Sequence, residues 1–274
     1  MTVEKRKSKI KSKTNPNGVI LYEGPSPVDG SPIVAIATGL TKASANSKTG
    51  RVIQTWIMRS DLDPWDAVKS GKDLSVCGDC IHRRTWSEVE QKWVHSCYVD
   101  VPRAPKAIFN CFKRGGYLTL AEYPKAVRII LRNILRLGSY GDPAMIPIEV
   151  WAALIGPNSP LGYTHQWEST LFDIDPRFKL LLMASVESGI ERQRAESKGW
   201  RVFQGVVRGS EPPKGLKQCP SDPTISEDKQ VGCDVCQACD GKFSEITGRR
   251  KPRTGRFIYL HGLVGSRLKI LNAA

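Results

Sequence analysis

Four cysteines near the end of the chain have the spacing of a metal-binding site. Cys219 is followed by proline, and Cys233, Cys236 and Cys239 follow it in the pattern C-P-x12-C-x2-C-x2-C. Thiols this close in sequence cannot all pair with one another as disulfides, but they can converge on one inorganic centre. Because thiolates bind both iron–sulfur clusters and structural zinc, the pattern predicts a [4Fe–4S] cluster or a Zn²⁺ ion.

A second group of potential metal ligands lies between residues 77 and 111. Cys77-Gly-Asp-Cys80 has the C-x2-C spacing of half a zinc site, and Cys97 follows as a third ligand. Three side chains are candidates for the fourth ligand, namely His82, His95 and Cys111. Two alternatives remain for this group: a C-x2-C turn beside unrelated buried thiols, or a redox dithiol formed by the pair.

Polar side chains also follow several predicted strands, at the end where α/β folds bind their ligands. Asp142 closes the turn Gly-Ser-Tyr-Gly-Asp-Pro, His165 lies in LGYTHQWES, and Glu187 ends LLMASVE. We expect these three residues to be catalytic or base-binding, since carboxylates and histidine act as nucleophiles or general bases. The alternative is structural, with the two carboxylates as helix caps and the histidine in a core strand. His261, at the end of the last predicted strand, is a further candidate.

The elements that must position these residues predict an α/β fold. Residues 19–39 predict a β-hairpin, and residues 61–71 predict a short helix with an Asp cap and a Gly stop. From residue 135 onward, apolar strands alternate with helices, and residues 178–188 are expected to form one such strand. This alternation favours a parallel sheet, arranged as a partial or complete (β/α) barrel, with a three-layer sheet as the alternative.

The chain of 274 residues, 40% of them hydrophobic, is long enough for one large domain. We expect a disordered basic arm over residues 1–18, a single α/β domain over residues 19–262 and a tail over residues 263–274. Cysteine-rich inserts interrupt the domain at residues 77–111 and 210–256.

The formal net charge of +14 favours a polyanionic partner. Inside a cell this partner is expected to be nucleic acid, either DNA or RNA. The alternative for the N-terminal cations is a solubilising tail, and for residues 46–51 it is a plain hairpin turn. The cations expected to contact phosphates are Lys5, Arg6, Lys7, Lys48, Arg51, Arg249, Arg250, Lys251 and Arg253.

Two features bear on the cellular location. No apolar run approaches the roughly 18–20 residues that a membrane-spanning helix needs. The basic, polar N-terminal stretch lacks the apolar segment of a secretory signal. We therefore expect a cytoplasmic protein with no membrane partner, whose eight cysteines are reduced thiols or metal ligands.

The chain resembles a family of uncharacterised proteins of phages, prophages and related mobile elements. The resemblance covers nearly all of residues 19–262 and rests on GPSPVDGSPIV, NSKTG, VCGDC, GSYGDP, GYTHQW, MASVES and CDVCQAC. It implies a mobile-element context in a host cytoplasm and no particular activity. More remotely, the strand-end Gly-Asp and the late cysteines are similar to barrel enzymes that exchange or modify nucleobases. Those enzymes carry a C-x-C-x2-C zinc site, whereas this chain has C-x2-C-x2-C.

Three functional hypotheses follow from these patterns. The first is a phage-type, metal-containing protein that acts on nucleic acid, for example by modifying a base. The second is a non-catalytic, zinc-stabilised nucleic-acid-binding factor of replication or regulation. The third is an iron–sulfur redox enzyme that acts on a small molecule.

Overall fold

A computed structural model describes residues 14–44, 48–88, 91–158, 160–248 and 253–260. Most of the predicted basic arm and part of the basic cluster near residue 250 lie outside these ranges. The candidate site residues outside the described residues are Lys5, Arg6, Lys7, Arg249, Arg250, Lys251 and His261.

The described residues contain twelve strands and nine α-helices. The strands are β1 (Gly18–Pro25), β2 (Pro32–Thr38), β3 (Ile53–Arg59), β4 (Thr85–Ser87), β5 (Lys92–Val94), β6 (Leu118–Thr119), β7 (Leu135–Tyr140), β8 (Leu161–Thr164), β9 (Met183–Val186), β10 (Val202–Val207), β11 (Lys217–Gln218) and β12 (Arg256–Leu260). The helices are α1 (Pro64–Ser70), α2 (Leu74–Cys77), α3 (Ala104–Lys113), α4 (Pro124–Leu131), α5 (Ile148–Ala152), α6 (Phe178–Leu181), α7 (Gly189–Ser197), α8 (Cys233–Cys236) and α9 (Phe243–Ile246).

Ten of these strands form one mostly parallel sheet, in the order β11-β12-β10-β9-β8-β7-β3-β2-β1-β6. Only the β1–β2 and β2–β3 pairs are antiparallel. The prediction of an α/β fold is therefore confirmed. From β3 through β7, β8, β9 and β10 to β12, neighbouring strands follow chain order and run parallel, as they do in a (β/α) barrel. In the described part of the chain, the sheet ends at β11 on one side and β6 on the other.

The sheet has a separate hydrophobic cluster on each face. Along β2, Ile33 and Ala35 point into the larger cluster and Ile36 into the smaller one, as the alternation of a strand requires. The larger cluster includes residues of α4, α5, α6 and α7. The smaller cluster includes residues of α1 and α3. Helices therefore cover one face of the parallel strands and also the opposite face near the N-terminal hairpin.

Local sequence signals explain where the first helix begins and ends. The Asp63 side chain accepts a hydrogen bond from the backbone N–H of Trp65, and Pro64 occupies the first helical position of α1. Gly71 then ends the helix in the left-handed conformation, with φ at 72°. The prediction of a helix at residues 61–71 is confirmed, as is the hairpin of β1 and β2.

The apolar run at residues 178–188 differs from the prediction. Its first part forms helix α6, and only Met183–Val186 forms a strand. Phe178, Leu181 and Leu182 are all buried in the larger cluster, so the helix and the strand both satisfy the same apolar residues. An apolar run without a clear period does not distinguish these two structures.

Parallel pairing fixes which residues share an edge of the sheet. The chain beyond the carboxyl ends of β3, β7, β8 and β9 emerges at one edge, and the segments before their first residues lie at the other. Within the described part of the chain, none of the helices has the length and apolar character that a membrane crossing requires.

Candidate functional site

Three side chains converge at the carboxyl edge of the sheet. Glu187 Oε1 lies 3.1 Å from His82 Nε2 and 3.3 Å from His165 Nε2. The two imidazole rings meet edge to face, with centroids 5.3 Å apart. His165 follows β8 and Glu187 follows β9, whereas His82 comes from the insert that follows β3. We call His82, His165 and Glu187 the edge triad.

The insert after β3 holds His82 in place through its own backbone and one side chain. Backbone N–H groups of Ser96 and Cys97 donate to the His82 carbonyl at 3.3 and 3.0 Å. The Ser96 hydroxyl lies 2.9 Å from His82 Nδ1, so both ring nitrogens have partners. The ring orientation is therefore fixed from both sides.

Asp142 contacts the backbone of His165 rather than the side chains of the edge triad. Its Oδ1 accepts hydrogen bonds from the Ala144 backbone and the Thr164 hydroxyl, at 3.0 and 2.8 Å. Its Oδ2 accepts one from the His165 backbone at 2.9 Å. Burial raises the pKa of the Asp142 carboxyl, although these hydrogen bonds act to lower it. The geometry gives Asp142 the capping role that the Asp-Pro sequence suggested and joins the ends of β7 and β8.

The charge state of the edge triad follows from its contacts. Burial would raise the pKa of Glu187, but hydrogen bonds from His165 and His82 outweigh it and lower this pKa to about 2. Burial would lower the pKa of His165, but the Cys80 thiol and Glu187 raise it well above its ordinary value. Glu187 is therefore anionic, and its contact with His165 favours the protonated form of that ring.

One oxygen of the edge triad has no partner in the described residues. Glu187 Oε2 is buried and makes no hydrogen bond, and the side chain as a whole is 6% exposed. It lies over Gly205 of β10, where a Cβ atom would be 2.3 Å away from it. Glu187 also lines a cleft of about 710 Å³ beside β10 and α7, together with Arg192 and Gln204. Glu187 is the member of the edge triad that lines this cleft, and neither histidine does, so a molecule in the cleft lies beside the carboxylate.

The first cysteine group lies next to the edge triad. Burial raises the pKa of Cys97 to about 11 and that of Cys77 well above its ordinary value. The Cys80 thiol lies close enough to His165 to raise the pKa of its imidazole. The described residues contain one group of three metal-ligating atoms all within 4.8 Å of one another, and that group is the edge triad rather than the three cysteines.

The second cysteine group lies at the opposite edge of the sheet. All four thiols, from Cys219, Cys233, Cys236 and Cys239, line one cavity together with Arg136 and Tyr163 of β7 and β8. Its volume of about 20 Å³ is far below the roughly 300 Å³ of an organic-ligand pocket. None of the eight cysteines, all of which lie in the described residues, forms a disulfide. These four cysteines therefore line one cavity, and their binding of a metal centre stays a prediction.

Backbone contacts fix the cysteine loops to the amino ends of the strands. Cys219 donates through its backbone to Phe257 at 2.7 Å, and Cys239 accepts from Gly162 at 2.9 Å. The buried ion pair of Arg201 and Asp240, at 2.8 Å, anchors the end of the loop to β10. These contacts hold the cysteine loops against the amino edge of the sheet.

Among the described residues that line this cavity are two arginines but no aspartate or glutamate. Arg136 and Arg256 both line the cavity. Arg136 donates to the side-chain oxygen of Gln54 at 3.2 Å, and the buried Arg256 Nε has no hydrogen-bond partner in the described structure. Guanidinium groups in such a place favour an anionic occupant of the cavity.

The predicted phosphate-binding cations that the structure describes surround this second group. The Lys48 carbonyl accepts from the Cys233 backbone at 3.1 Å, and the Arg51 backbone donates to Asp234 at 3.0 Å. Arg253 donates to the Gln237 carbonyl at 3.1 Å. These residues therefore lie at the amino edge, far along the strands from the edge triad.

Sequence reasoning missed an aromatic hairpin beside the edge triad. Strands β4 and β5 pair Trp86 with Trp93, whose rings pack edge to face at 5.9 Å. The Arg84 guanidinium lies 4.5 Å from the Trp93 ring centroid. Trp86 and Trp93 remain 44% and 53% exposed. The pattern T-W-S-x4-K-W-V, with its symmetric tryptophans, is the signal that could have revealed the hairpin.

Comparison with known proteins adds no relative: neither the family models, nor the curated proteins, nor the solved structures contain a match to this chain.

Proposed function

We propose that this protein is a metal-containing enzyme that acts on nucleic acid, with the edge triad of His82, His165 and Glu187 as its reactive centre. The observation that carries the proposal is the convergence of these side chains at the carboxyl edge of parallel strands, beside an open cleft. In α/β folds this edge is where catalysis occurs. His165 and Glu187 would contact the reacting base, and Asp142 would position His165.

Nucleic acid is favoured as the substrate by aromatic and basic groups beside the triad. The hairpin of β4 and β5 presents Trp86 and Trp93 to solvent, with Arg84 stacked on one of them. Exposed aromatic rings with a stacked arginine bind unpaired bases, at about 1–3 kcal/mol per base. Ser96, which follows the hairpin, lies 2.9 Å from the His82 ring. A base stacked on the hairpin would therefore be close to the edge triad.

Binding to single-stranded DNA, double-stranded DNA and tRNA at two salt concentrations tests the substrate class. We expect tightest binding to single-stranded nucleic acid and a loss on raising the salt. The Trp86→Ala/Trp93→Ala variant should weaken single-strand binding, whereas Trp151→Phe, a fully buried tryptophan, should not. Absent or salt-independent binding by the wild-type chain would exclude nucleic acid.

Catalysis is tested on the same nucleic acids after digestion to nucleosides. Wild-type protein should change the mass of one nucleoside, and Glu187→Gln should abolish that change while leaving binding intact. Full binding with no chemical change by any preparation would favour a non-catalytic nucleic-acid-binding factor.

We also propose that Cys219, Cys233, Cys236 and Cys239 bind a [4Fe–4S] cluster or a Zn²⁺ ion. Four thiolates give either centre a net negative charge, which fits the guanidinium groups of Arg136 and Arg256. Sulfurs bound to one Zn²⁺ at about 2.3 Å lie roughly 3.8 Å apart. No three of these thiols lie within 4.8 Å of one another. This wider spacing favours the cluster, in which each thiolate binds a different iron.

Elemental analysis and a visible spectrum of anaerobically purified protein distinguish the two centres. Four iron atoms with inorganic sulfide and a brown colour support the cluster, and one zinc in a colourless protein supports the ion. A brown protein that turns over a small molecule without binding nucleic acid would support a redox enzyme instead. Protein with neither iron nor zinc at these thiols contradicts the proposal.

A further inference from the structure

We propose that His82, His165 and Glu187 bind one divalent transition-metal ion. This site is separate from the second cysteine group, Cys219, Cys233, Cys236 and Cys239, which we call the Cys219 group. This inference deepens the proposed function, because it makes the reaction metal-assisted. It can fail independently, since ion binding at the edge triad is measured without any nucleic acid.

The spacing of the ligand atoms matches a single ion. Both imidazole Nε2 atoms face Glu187 Oε1, at 3.1 and 3.3 Å. Ligands about 2.1 Å from one ion are roughly 3.0 Å apart at an octahedral right angle and 3.4 Å apart in a tetrahedron. All three ligand atoms lie within 4.8 Å of one another, which leaves them free to surround one ion.

The unpartnered oxygen of Glu187 is the second observation. Without a metal, both imidazoles would hydrogen-bond to Oε1, and the buried Oε2 would have no hydrogen-bond partner. Such an orphaned acceptor is costly and rare in folded proteins. An ion, or a water molecule bound to it, satisfies Oε2 as well as Oε1. The cleft beside Glu187 leaves room for that water or for a substrate atom.

The surroundings of the edge triad have the form of a second coordination shell. The Ser96 hydroxyl lies on the Nδ1 side of His82, which leaves Nε2 to bind the ion. Asp142 holds the His165 backbone at 2.9 Å and ties it to the end of β7. Metal-binding histidines almost always have a partner on the second ring nitrogen, as His82 has in Ser96, and its loss weakens metal binding about 10–100-fold.

The ligand set identifies the class of ion. Two histidines and one carboxylate with an open position bind Zn²⁺ in hydrolytic centres and Fe²⁺ in non-haem iron centres. Either ion polarises a bound oxygen atom and so activates water or a substrate carbonyl. A hard ion such as Mg²⁺ prefers an all-oxygen shell, which this site lacks.

The experiment measures bound ions per chain in full-length protein that has been stripped with a chelator. The stripped protein is reloaded with excess Zn²⁺, or anaerobically with Fe²⁺, and then desalted. We expect the wild-type chain to retain one ion more than Glu187→Gln and more than His82→Ala/His165→Ala. The ion that is retained at lower concentration identifies the native metal, and retention of either supports the site.

Two control variants separate this site from the rest of the molecule, and a third variant tests the partner of His82. His95→Ala, whose imidazole packs against Trp65 at 6.3 Å, should retain the wild-type number of ions. Cys233→Ser/Cys236→Ser should lose metal at the other edge and still bind the edge-triad ion. Ser96→Ala should keep the ion but bind it about 10–100-fold more weakly.

Circular dichroism confirms that each variant is folded before its ions are counted. If a folded His82→Ala/His165→Ala variant retains as many ions as the wild type, the inference is overturned. It is equally overturned if the Cys233→Ser/Cys236→Ser variant binds no Zn²⁺ and no Fe²⁺ at all.

Discussion

Asp142 shows how a single buried carboxylate can be tested as a positioning residue. Its two oxygens accept three hydrogen bonds, from Ala144, Thr164 and His165. In Asp142→Asn, the amide NH₂ replaces one of these acceptors and faces a donor. We expect the free energy of unfolding to fall by about 1–3 kcal/mol, as measured by urea denaturation. Asp175→Asn, at an exposed ion pair with Arg177, should cost less than about 1 kcal/mol.

The same variant separates the two roles that the sequence allowed for Asp142. A destabilised protein whose remaining folded fraction binds metal and substrate normally supports the capping role. Unchanged stability with complete loss of activity would instead make Asp142 a catalytic residue.

At this scale the sequence predicted two of the three triad residues. His165 and Glu187 were expected to share an edge because each follows an apolar parallel strand, and their side chains do meet. The place of His82 is harder to predict, since its spacing in the sequence indicates only a possible fourth ligand to a metal held by Cys77, Cys80 and Cys97. It lies 105 residues from Glu187 in sequence, within an irregular insert. The clue to His82 is its position in an insert that follows β3 and therefore begins at the carboxyl edge of the sheet.

At the scale of elements, the loop after β3 depends on a close approach between Gly78 and Gln166. Gly78 has φ at 55°, and a Cβ atom there would lie 2.0 Å from Gln166 Oε1. Gln166 in turn donates to the Cys77 carbonyl at 2.9 Å. Since Gln166 directly follows His165, any displacement of it disturbs the edge triad.

Gly78→Ala should therefore be more harmful than Gly71→Ala. Gly71 also has a positive φ, of 72°, but no atom lies within 4 Å of its Cβ position. We expect Gly71→Ala to cost about 1 kcal/mol through backbone strain alone, and Gly78→Ala to cost about 2 kcal/mol or more. Urea denaturation gives both values. Equal losses would mean that the contact with Gln166 contributes nothing to stability.

Elements with a clear period or cap were predictable, and those defined by long-range contacts were not. Helix α1 was marked by Asp63 and Gly71, which act locally. The run at residues 178–188 was ambiguous because burial from two sides removes the alternation that identifies a strand. The β4–β5 hairpin lies in a cysteine-rich insert, and its strands of three residues each are too short to show a clear alternation.

At the scale of the whole molecule, the two centres occupy opposite edges of the same sheet. Arg136, the second residue of β7, lines the cavity of the Cys219 group, and Asp142 follows the same strand beside the edge triad. In barrels with this strand order, the carboxyl edge carries catalysis and the amino edge carries stability. We therefore propose that the Cys219 group is structural.

Loss of the Cys219 centre should lower stability without removing the edge triad. Cys236→Ser/Cys239→Ser leaves the guanidinium groups of Arg136 and Arg256 without an anionic partner, at a cost of about 3 kcal/mol. For a domain of this size that is a fall in melting temperature of roughly 6–12 °C. Cys111→Ser, at a half-buried thiol that does not line this cavity, should retain the metal and lose less stability. An unchanged melting temperature in the double variant would refute a structural centre.

The net charge of the chain makes a quantitative prediction about salt dependence. Lys5→Gln/Arg6→Gln/Lys7→Gln removes three cations of the N-terminal stretch, which sequence alone assigned to phosphate binding. If all three contact a DNA duplex, the slope of log affinity against log salt concentration should fall in magnitude by about 2.7. Fluorescence anisotropy with a labelled duplex at several salt concentrations measures this slope.

The matched control removes three cations that already have carboxylate partners. Arg177 pairs with Asp175 and Glu149, and both Arg194 and Lys198 pair with Glu168. Their replacement by Gln lowers the net charge by the same amount. If these side chains do not touch phosphates, the number of counterions released when the protein binds DNA does not change. The slope should then stay at its wild-type value. An equal fall in both triple variants would mean that the overall charge attracts DNA and that the N-terminal stretch makes no contacts of its own.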